Sequence, residues 1–291
     1  MDKVLANCQC QNHGPFCLQQ HEPRTVWSSG THCFFDIRYL LRHPEVFQHP
    51  DVLKLYWFMT LALRRDRVSQ ARFASYYGGY GLRSKEGFAG SSAEYVLNLL
   101  CSKNSKGQLV GRWVNGVNWV PGDADYFITA PTLSAYYERT DHLIILLKQV
   151  ARALGTSLLV FEYKVNNYAH REYPIWTKNI QFEGIETQIS FVSAPYANSM
   201  AEILDDFDIS ICKVMYDCKG TGVLITTSNV LKQIKKGEAT VRNFCVHSSY
   251  PDLFECKSIA STLARMNKYG ERGYTFLNYP RIEGVHPRMP E

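Results

Sequence analysis

Two aspartates one residue apart, at the head of an apolar run, constrain this chain more than any other feature. The run is Pro121-Gly122-Asp123-Ala124-Asp125-Tyr126-Phe127-Ile128. As a strand it alternates side chains across a sheet, so Asp123 and Asp125 share one face. Like charges that close repel unless a cation lies between them, and hard divalent cations take such oxygen ligands. The pattern is what a strand needs to hold a metal at its edge. The plainer alternative is a surface turn, for which Pro-Gly-Asp is well suited, leading into a core strand.

Upstream, Gly90-Ser91-Ser92 runs into Ala93-Glu94-Tyr95-Val96-Leu97-Asn98-Leu99-Leu100, which reads as a helix with Ser91 or Ser92 as its N-cap. A helix N-terminus offers unpaired N–H groups and the positive end of its dipole, which suit a phosphate. Glycine lets the backbone approach closely, and serine adds a hydroxyl donor.

Residues 44–75 read as helical, with Val46, Val52, Leu55, Phe58, Met59, Leu61, Ala62 and Leu63 on an apolar face. Arg64, Arg65, Arg67 and Arg72 gather at its C-terminal part. A glycine-rich turn follows at 76–81, and 101–120 reads as an exposed loop or hairpin leading to the aspartates. Residues 131–154 form an amphipathic helix with Leu143, Ile144, Leu147, Val150 and Leu154 as its buried stripe. A strand at 157–165 precedes a hairpin at 178–193 that turns at Glu183-Gly184. A short helix ends at Ile203-Leu204, and Asp206–Val214 reads as another alternating strand. Helices follow at 229–236 and 258–269. The expected architecture is α/β (α+β), a mixed sheet flanked by helices with a helical C-terminal region. Three segments emerge: a Cys/His-rich arm at 1–43, a core at 44–215 and the helical region at 216–291.

The composition, 45% hydrophobic and 20% charged over 291 residues, is that of a globular protein. No apolar run spans a bilayer, and Met1–Cys8 lacks the apolar core of a signal peptide, so an intracellular setting, cytoplasmic or nuclear, is expected. Nine cysteines, an odd number, argue for reduced thiols. Cys8, Cys10, His13, Cys17, His21, His32 and Cys33 crowd the arm. They read either as zinc ligands or, since Cys-x-Cys with a nearby His is not a common finger spacing, as reduced thiols. The net charge of +5 suits a polyanionic partner without marking a dedicated nucleic-acid domain. His142, His170 and His247 stand alone, and no nucleophile elbow, dinucleotide fingerprint or His-Glu-x-x-His is present.

Phe88-Ala89-Gly90-Ser91, a helix and a later Asp123-Ala124-Asp125-Tyr126-Phe127 together resemble the nucleotidyltransferase superfamily of DNA polymerase beta, the poly(A) polymerases and the CCA-adding enzymes. The resemblance covers roughly residues 85–215. It implies that Gly90, Ser91 and Ser92 hold a triphosphate and that Asp123 and Asp125 are ligands of Mg²⁺ or Mn²⁺. The stretch between Ser91 and Asp123 is longer than in that family, so 101–120 would loop out. A third carboxylate completes such a site. Where the family often carries Asp, in Ile185-Glu186-Thr187-Gln188-Ile189, this chain has Gln188. Glu186 on the same face, Asp206 or Asp208 would serve instead, with Asp208 favoured. Phe207-Asp208-Ile209, Cys212-Lys213-Val214 and Arg265, Lys268, Tyr269, Arg272 and Gly273 look like a divergent branch of the superfamily found in large DNA viruses and ankyrin-repeat proteins. Arg265, Lys268 and Arg272 would neutralise the triphosphate.

Two functions follow from the resemblance. The first is metal-dependent transfer of a nucleoside monophosphate from an NTP to a hydroxyl on RNA, protein or a small molecule. The second is a catalytically inactive protein of the same fold that binds RNA or a protein partner, through Arg64–Arg72 and the aromatic 101–120 segment.

Overall fold

The alternation along Asp123–Ile128 becomes one strand in the interior of a nine-stranded sheet. The computed structural model describes residues 25–29, 32–42, 49–66, 84–101, 119–166, 175–218, 222–242, 244–247, 254–280 and 282–286, with Pro44 and Leu82 besides. The cysteines and histidines from Cys8 to His21, Arg67, Arg72, the turn at 76–81 and the 102–118 stretch lie outside the described residues, so zinc in the arm remains an expectation from sequence.

The sheet strands are β1 (Thr25–Ser29), β2 (His32–Asp36), β3 (Glu86–Ala89), β4 (Asp123–Ile128), β5 (Leu158–Asn166), β6 (Ile175–Phe182), β7 (Gln188–Ser193), β8 (Met215–Asp217) and β9 (Val223–Thr227). Their spatial order is β1-β2-β9-β8-β3-β4-β7-β6-β5. β4 and β7 run parallel; the other pairs in this sheet are antiparallel. The architecture is the expected mixed α/β one. The sheet draws strands from all three segments marked out by sequence, since β2 precedes residue 44 and β9 follows residue 215.

The helices are α1 (Arg38–Arg42), α2 (Asp51–Arg65), α3 (Ser91–Cys101), α4 (Leu133–Ala153), α5 (Met200–Asp206), α6 (Ser228–Lys236) and α7 (Phe254–Glu271). Val52, Leu55, Tyr56, Met59 and Leu63, at helical spacing, turn one face of α2 inward. α3 is buried all round from Ser92 to Leu100, the mark of a helix at the centre of a core. α4 is capped by Thr132, whose hydroxyl accepts from the Ala135 N–H at 3.2 Å, and buries Tyr136, Leu143, Ile144, Leu147 and Val150. Leu154, expected on that stripe, is 47% exposed: the helix stops at Ala153, and the turn through Gly155 at φ +70° carries Leu154 off the buried face.

These helices cover one face of the sheet. There Tyr56 of α2 stacks on Phe88 and Tyr216, with ring centroids 4.4 and 4.6 Å away, and Phe88 meets Tyr126 edge-on at 5.0 Å. All four rings are fully buried. Each contributes about 1.5–3 kcal/mol by leaving water, and each well-oriented pair about 0.5–1.5 kcal/mol more. The Tyr216 hydroxyl is satisfied by Thr60 Oγ1 at 2.8 Å. The other face packs Phe34, Ala89, Phe127, Met215 and Ile225 under Met200, Ile203 and Leu204 of α5.

One expected strand is absent. Asp206 ends α5, and Ser210–Cys212 forms a 3-10 turn, with only an isolated bridge from Ile209 to Val241. The alternation of Phe207, Ile209 and Ile211 is real, and both isoleucines are fully buried. However, the Ser199 cap, accepting from the Glu202 N–H, starts a helix whose apolar spacing carries it on to Asp206. The C-terminal region carries its two expected helices. It also contributes β9, β10 (Glu238–Ala239), β11 (Phe244–His247), β12 (Thr275–Phe276) and β13 (Ile282–His286), with β10 paired to β12 and β11 to β13. Among the described residues no helix is long and apolar enough to cross a membrane.

At the Glu86 end of β3 lies a buried ion cluster. Arg139 of α4 donates from Nε to Glu86 Oε2 at 2.8 Å and from Nη1 to Asp66 Oδ2 at 2.9 Å. Glu86 and Asp66 are 4% and 1% exposed, and His142 Nε2 lies 3.4 Å from Asp66 Oδ1. Arg139→Leu leaves both carboxylates buried without their cation, and the expected loss of stability is about 3–5 kcal/mol. Urea denaturation measures it; a loss well under 1 kcal/mol would mean that water already solvates the cluster.

Candidate active site

β3 runs antiparallel to β4 with Phe88 opposite Tyr126. Continuing that register sets Gly90 beside Ala124, at the end of the sheet where the aspartates stand. Gly90 has φ +81°. Its N–H donates to Val214 O at 3.2 Å, and its carbonyl accepts the first helical bond, from the Glu94 N–H at 3.0 Å. Gly90 is therefore the N-cap of α3, and Ser91 and Ser92, expected as caps, are its first two helical residues. Their N–H groups belong to the turn that has no intrahelical acceptors.

The two serines differ. Ser91 is half-buried at the helix start. Ser92 is fully buried, and its hydroxyl lies 2.9 Å from the Tyr56 hydroxyl, so it ties α3 to α2. A Cβ on Gly90 would meet Phe207 at 3.8 Å, an ordinary contact. The positive φ, and not space, is what selects glycine there.

Asp123 and Asp125 are both half-buried and share the face of Phe127. Phe127 sinks under α5 and against Phe207, with ring centroids 5.6 Å apart, whereas the aspartates lie toward the strand's open end. Their lead-in is anchored to β7: the Gln188 N–H donates to Gly122 O at 3.1 Å and the Thr187 hydroxyl to Pro121 O at 3.0 Å. Burial raises the Asp125 carboxyl well above its ordinary range, and the charge of Asp123 raises it further. The exposed Lys268 of α7 pulls it back. Gly90, Ser91, Asp123, Asp125 and Lys268 thus belong to one end of the molecule.

The remaining expected residues have other partners. Asp208 accepts from Thr262 Oγ1 and from Arg265 Nε at 3.1 Å and Nη2, so it and Arg265 neutralise each other across α7. Glu186 is exposed in the turn before β7, its N–H donating to Asp51 Oδ2 at 3.0 Å. In register, Asp123 faces Gln188 and Asp125 faces Ser190. Among the described residues no group of three His, Cys, Asp or Glu side chains is placed to hold a metal. Arg272 is buried, its guanidinium 3.4 Å above the Trp119 ring and 4.9 Å from Tyr269. Arg64 and Arg65 lie at the far end of the sheet, beside Asp66 and the Arg139 cluster.

Sequence reading missed Glu94. Three residues after Ser91 it has the spacing of a capping box, but it points inward and is fully buried. The Tyr274 hydroxyl donates to its Oε1, and Asn98 Nδ2 donates to the Tyr274 hydroxyl at 2.8 Å. Nothing in sequence joins Glu94 to a tyrosine 180 residues away. Burial raises its carboxyl to about 7, against the opposing pull of Tyr274, Asn98 and Arg272.

No protein-family model matches the chain, and no curated protein does. Solved structures show some likeness. A CCA-adding enzyme with CTP aligns at a TM-score of 0.44 and 13% identity, over 84% of this chain and 44% of that one. The Thermotoga maritima CCA-adding enzyme complexed with tRNA gives 0.44 and 15% over 84% and 43%. A tRNA-processing enzyme in an apo form gives 0.29 and 17% over 54% and 31%. This chain spans less than half the length of each of these. The likeness is loose.

Because Glu94 holds its proton more tightly folded than unfolded, its contribution is full below the unfolded value of about 4 and is lost as pH rises through about 7. Glu94→Gln keeps the Oε1 acceptor for Tyr274 and removes the titration. Its melting temperature should fall less than the wild type's between about pH 5 and pH 8. Parallel melting curves for the two proteins would show that Glu94 does not titrate in that window.

Proposed function

We propose that the Asp123–Asp125 end of the sheet binds a nucleoside triphosphate with Mg²⁺ or Mn²⁺, and that the protein transfers the nucleoside monophosphate to a hydroxyl on RNA, a protein or a small molecule. The observation that carries this is the pair itself: two half-buried carboxylates on one strand face, Asp125 raised by burial and further by the charge of Asp123, beside a glycine-capped helix start. Oxygen donors so placed fit a hard divalent cation, which would relieve their repulsion. Such a cation lowers the pKa of an acceptor hydroxyl and takes up charge on the leaving pyrophosphate.

Asp123 and Asp125 would be the ligands. The first-turn N–H groups at Ser91 and the Ser91 hydroxyl would receive phosphate oxygens, as helix N-termini do. Gly90, at its positive φ, would set the direction in which that turn presents its N–H groups. Lys268 would neutralise triphosphate charge from the opposite side. Arg265 and Arg272 are committed elsewhere and support α7, and Ser92 supports α3.

Gln188 favours a second reading. It occupies the position facing Asp123, and Asp208 is engaged by Arg265 and Thr262, so the pair gains no third carboxylate from either. On that reading the site holds one cation and a nucleotide without turnover, and the protein acts by binding RNA or a protein partner.

Calorimetric titration with each of the four NTPs, with Mg²⁺ and with EDTA, tests both. Mg²⁺-dependent binding that Asp125→Asn abolishes, together with incorporation of radiolabelled nucleotide into an acceptor, is the outcome expected of the transferase. Binding without incorporation would select the second reading, and binding unchanged in Asp125→Asn would overturn both. Gly90→Ala should cost about 1–2 kcal/mol of stability from the enforced positive φ and weaken NTP binding in the same titration. Wild-type stability in that variant would show that the turn relaxes to another conformation.

A further inference from the structure

Trp119 stands four residues before Asp123, at the start of the segment that leads into β4. Its ring is clasped. Arg272, just beyond the end of α7, lies with its guanidinium 3.4 Å from the ring centroid, and Tyr95 of α3 meets the ring nearly edge-on at 5.4 Å. Tyr269, one helical turn before Arg272, supports the guanidinium at 4.9 Å. Arg272 is 8% exposed and Tyr269 2% exposed, so the stack is largely dry, the condition in which a cation over an indole is worth most.

The geometry points to Arg272 as a positioning residue for the aspartate pair, acting through Trp119. β7 anchors the same lead-in from the other side at Pro121 and Gly122, through Thr187 and Gln188. Between the two anchors the backbone from Trp119 to Asp123 has little freedom, which fixes where β4 begins and thus where Asp123 and Asp125 present their oxygens. The clamp also ties α7, which carries Lys268, to the strand that carries Asp125. A flat guanidinium is needed to lie on the indole, and a lysine in its place keeps the charge near Glu94 but not the stack. This inference rests on the aspartate pair being the cation site.

Hydrogen exchange and Mn²⁺ binding, followed by electron paramagnetic resonance, separate the clamp from that premise. Arg272→Lys, Arg272→Leu and Trp119→Leu should speed amide exchange across Gly122–Asp125 while the α2 amides keep their protection. Each should weaken Mn²⁺ binding about tenfold, the scale of a desolvated cation–π contact. Trp119→Phe, which keeps an aromatic face, should recover most of both. The Arg272→Leu/Trp119→Leu double variant should be no worse than either single one, because the two residues form one contact. Unchanged exchange in Arg272→Leu, full retention in Arg272→Lys, or losses that add in the double variant would overturn the clamp. If the wild type binds no Mn²⁺, the cation site fails, and the exchange data alone still decide whether Arg272 and Trp119 hold the strand.

Discussion

Arg139 is where three separate pieces of the chain become one body. From α4 it reaches the first residue of β3 and the residue that ends α2, both carboxylates and both buried. Two buried acids would repel each other and force the elements apart; one guanidinium between them turns that repulsion into the tie that sets α2 and α4 against the sheet. The aromatic stack of Tyr56, Phe88 and Tyr216 depends on this placement, since it needs α2 to cross β3 and β8 at one height. Ser92 depends on it too, because its hydroxyl partner is Tyr56 on that helix.

The sheet is therefore polar in a literal sense. At the Glu86 end its carboxylates are matched by an internal cation and sealed. At the Asp125 end two carboxylates stand together, moderated among the described residues by the exposed Lys268. Among the described residues this charge is matched less fully than at the Glu86 end, and that asymmetry is what the proposed cation site rests on. It also explains the distribution of arginines. Arg139, Arg265 and Arg272 are each committed to protein groups: a carboxylate pair, Asp208, and the Trp119 ring.

Sequence legibility followed the range of the interactions involved. The β4 strand, the helix after Gly90, the long amphipathic helix and the hairpin at Glu183-Gly184 all rest on local alternation or helical spacing, and the structure has them. The strand expected at Asp206–Val214 failed because a serine cap and helical spacing upstream outweighed a genuine alternation. The candidate residues divide the same way. Asp123, Asp125 and Gly90 announce themselves in a few neighbouring residues. The burial of Ser92, the pairing of Asp208 with Arg265 and the Arg272–Trp119 stack depend on segments far apart in the chain. Glu94 carried a misleading local signal, a capping-box spacing that the fold puts to a different use.

The placement of β2 has a consequence for how the protein comes to exist. β2 lies between β1, its hairpin partner, and β9, which is made much later; Cys33 and Ser228, which touch in the finished molecule, are 195 residues apart. At ordinary translation speeds of about 5–20 residues per second, one side of β2 waits roughly ten seconds or more for its neighbour. Through that interval Cys33, Phe34 and Phe35 sit on a strand with an open edge, the kind of surface that recruits other chains. Synthesis of this protein therefore has a vulnerable phase that opens when β2 is made and closes only once β9 has followed.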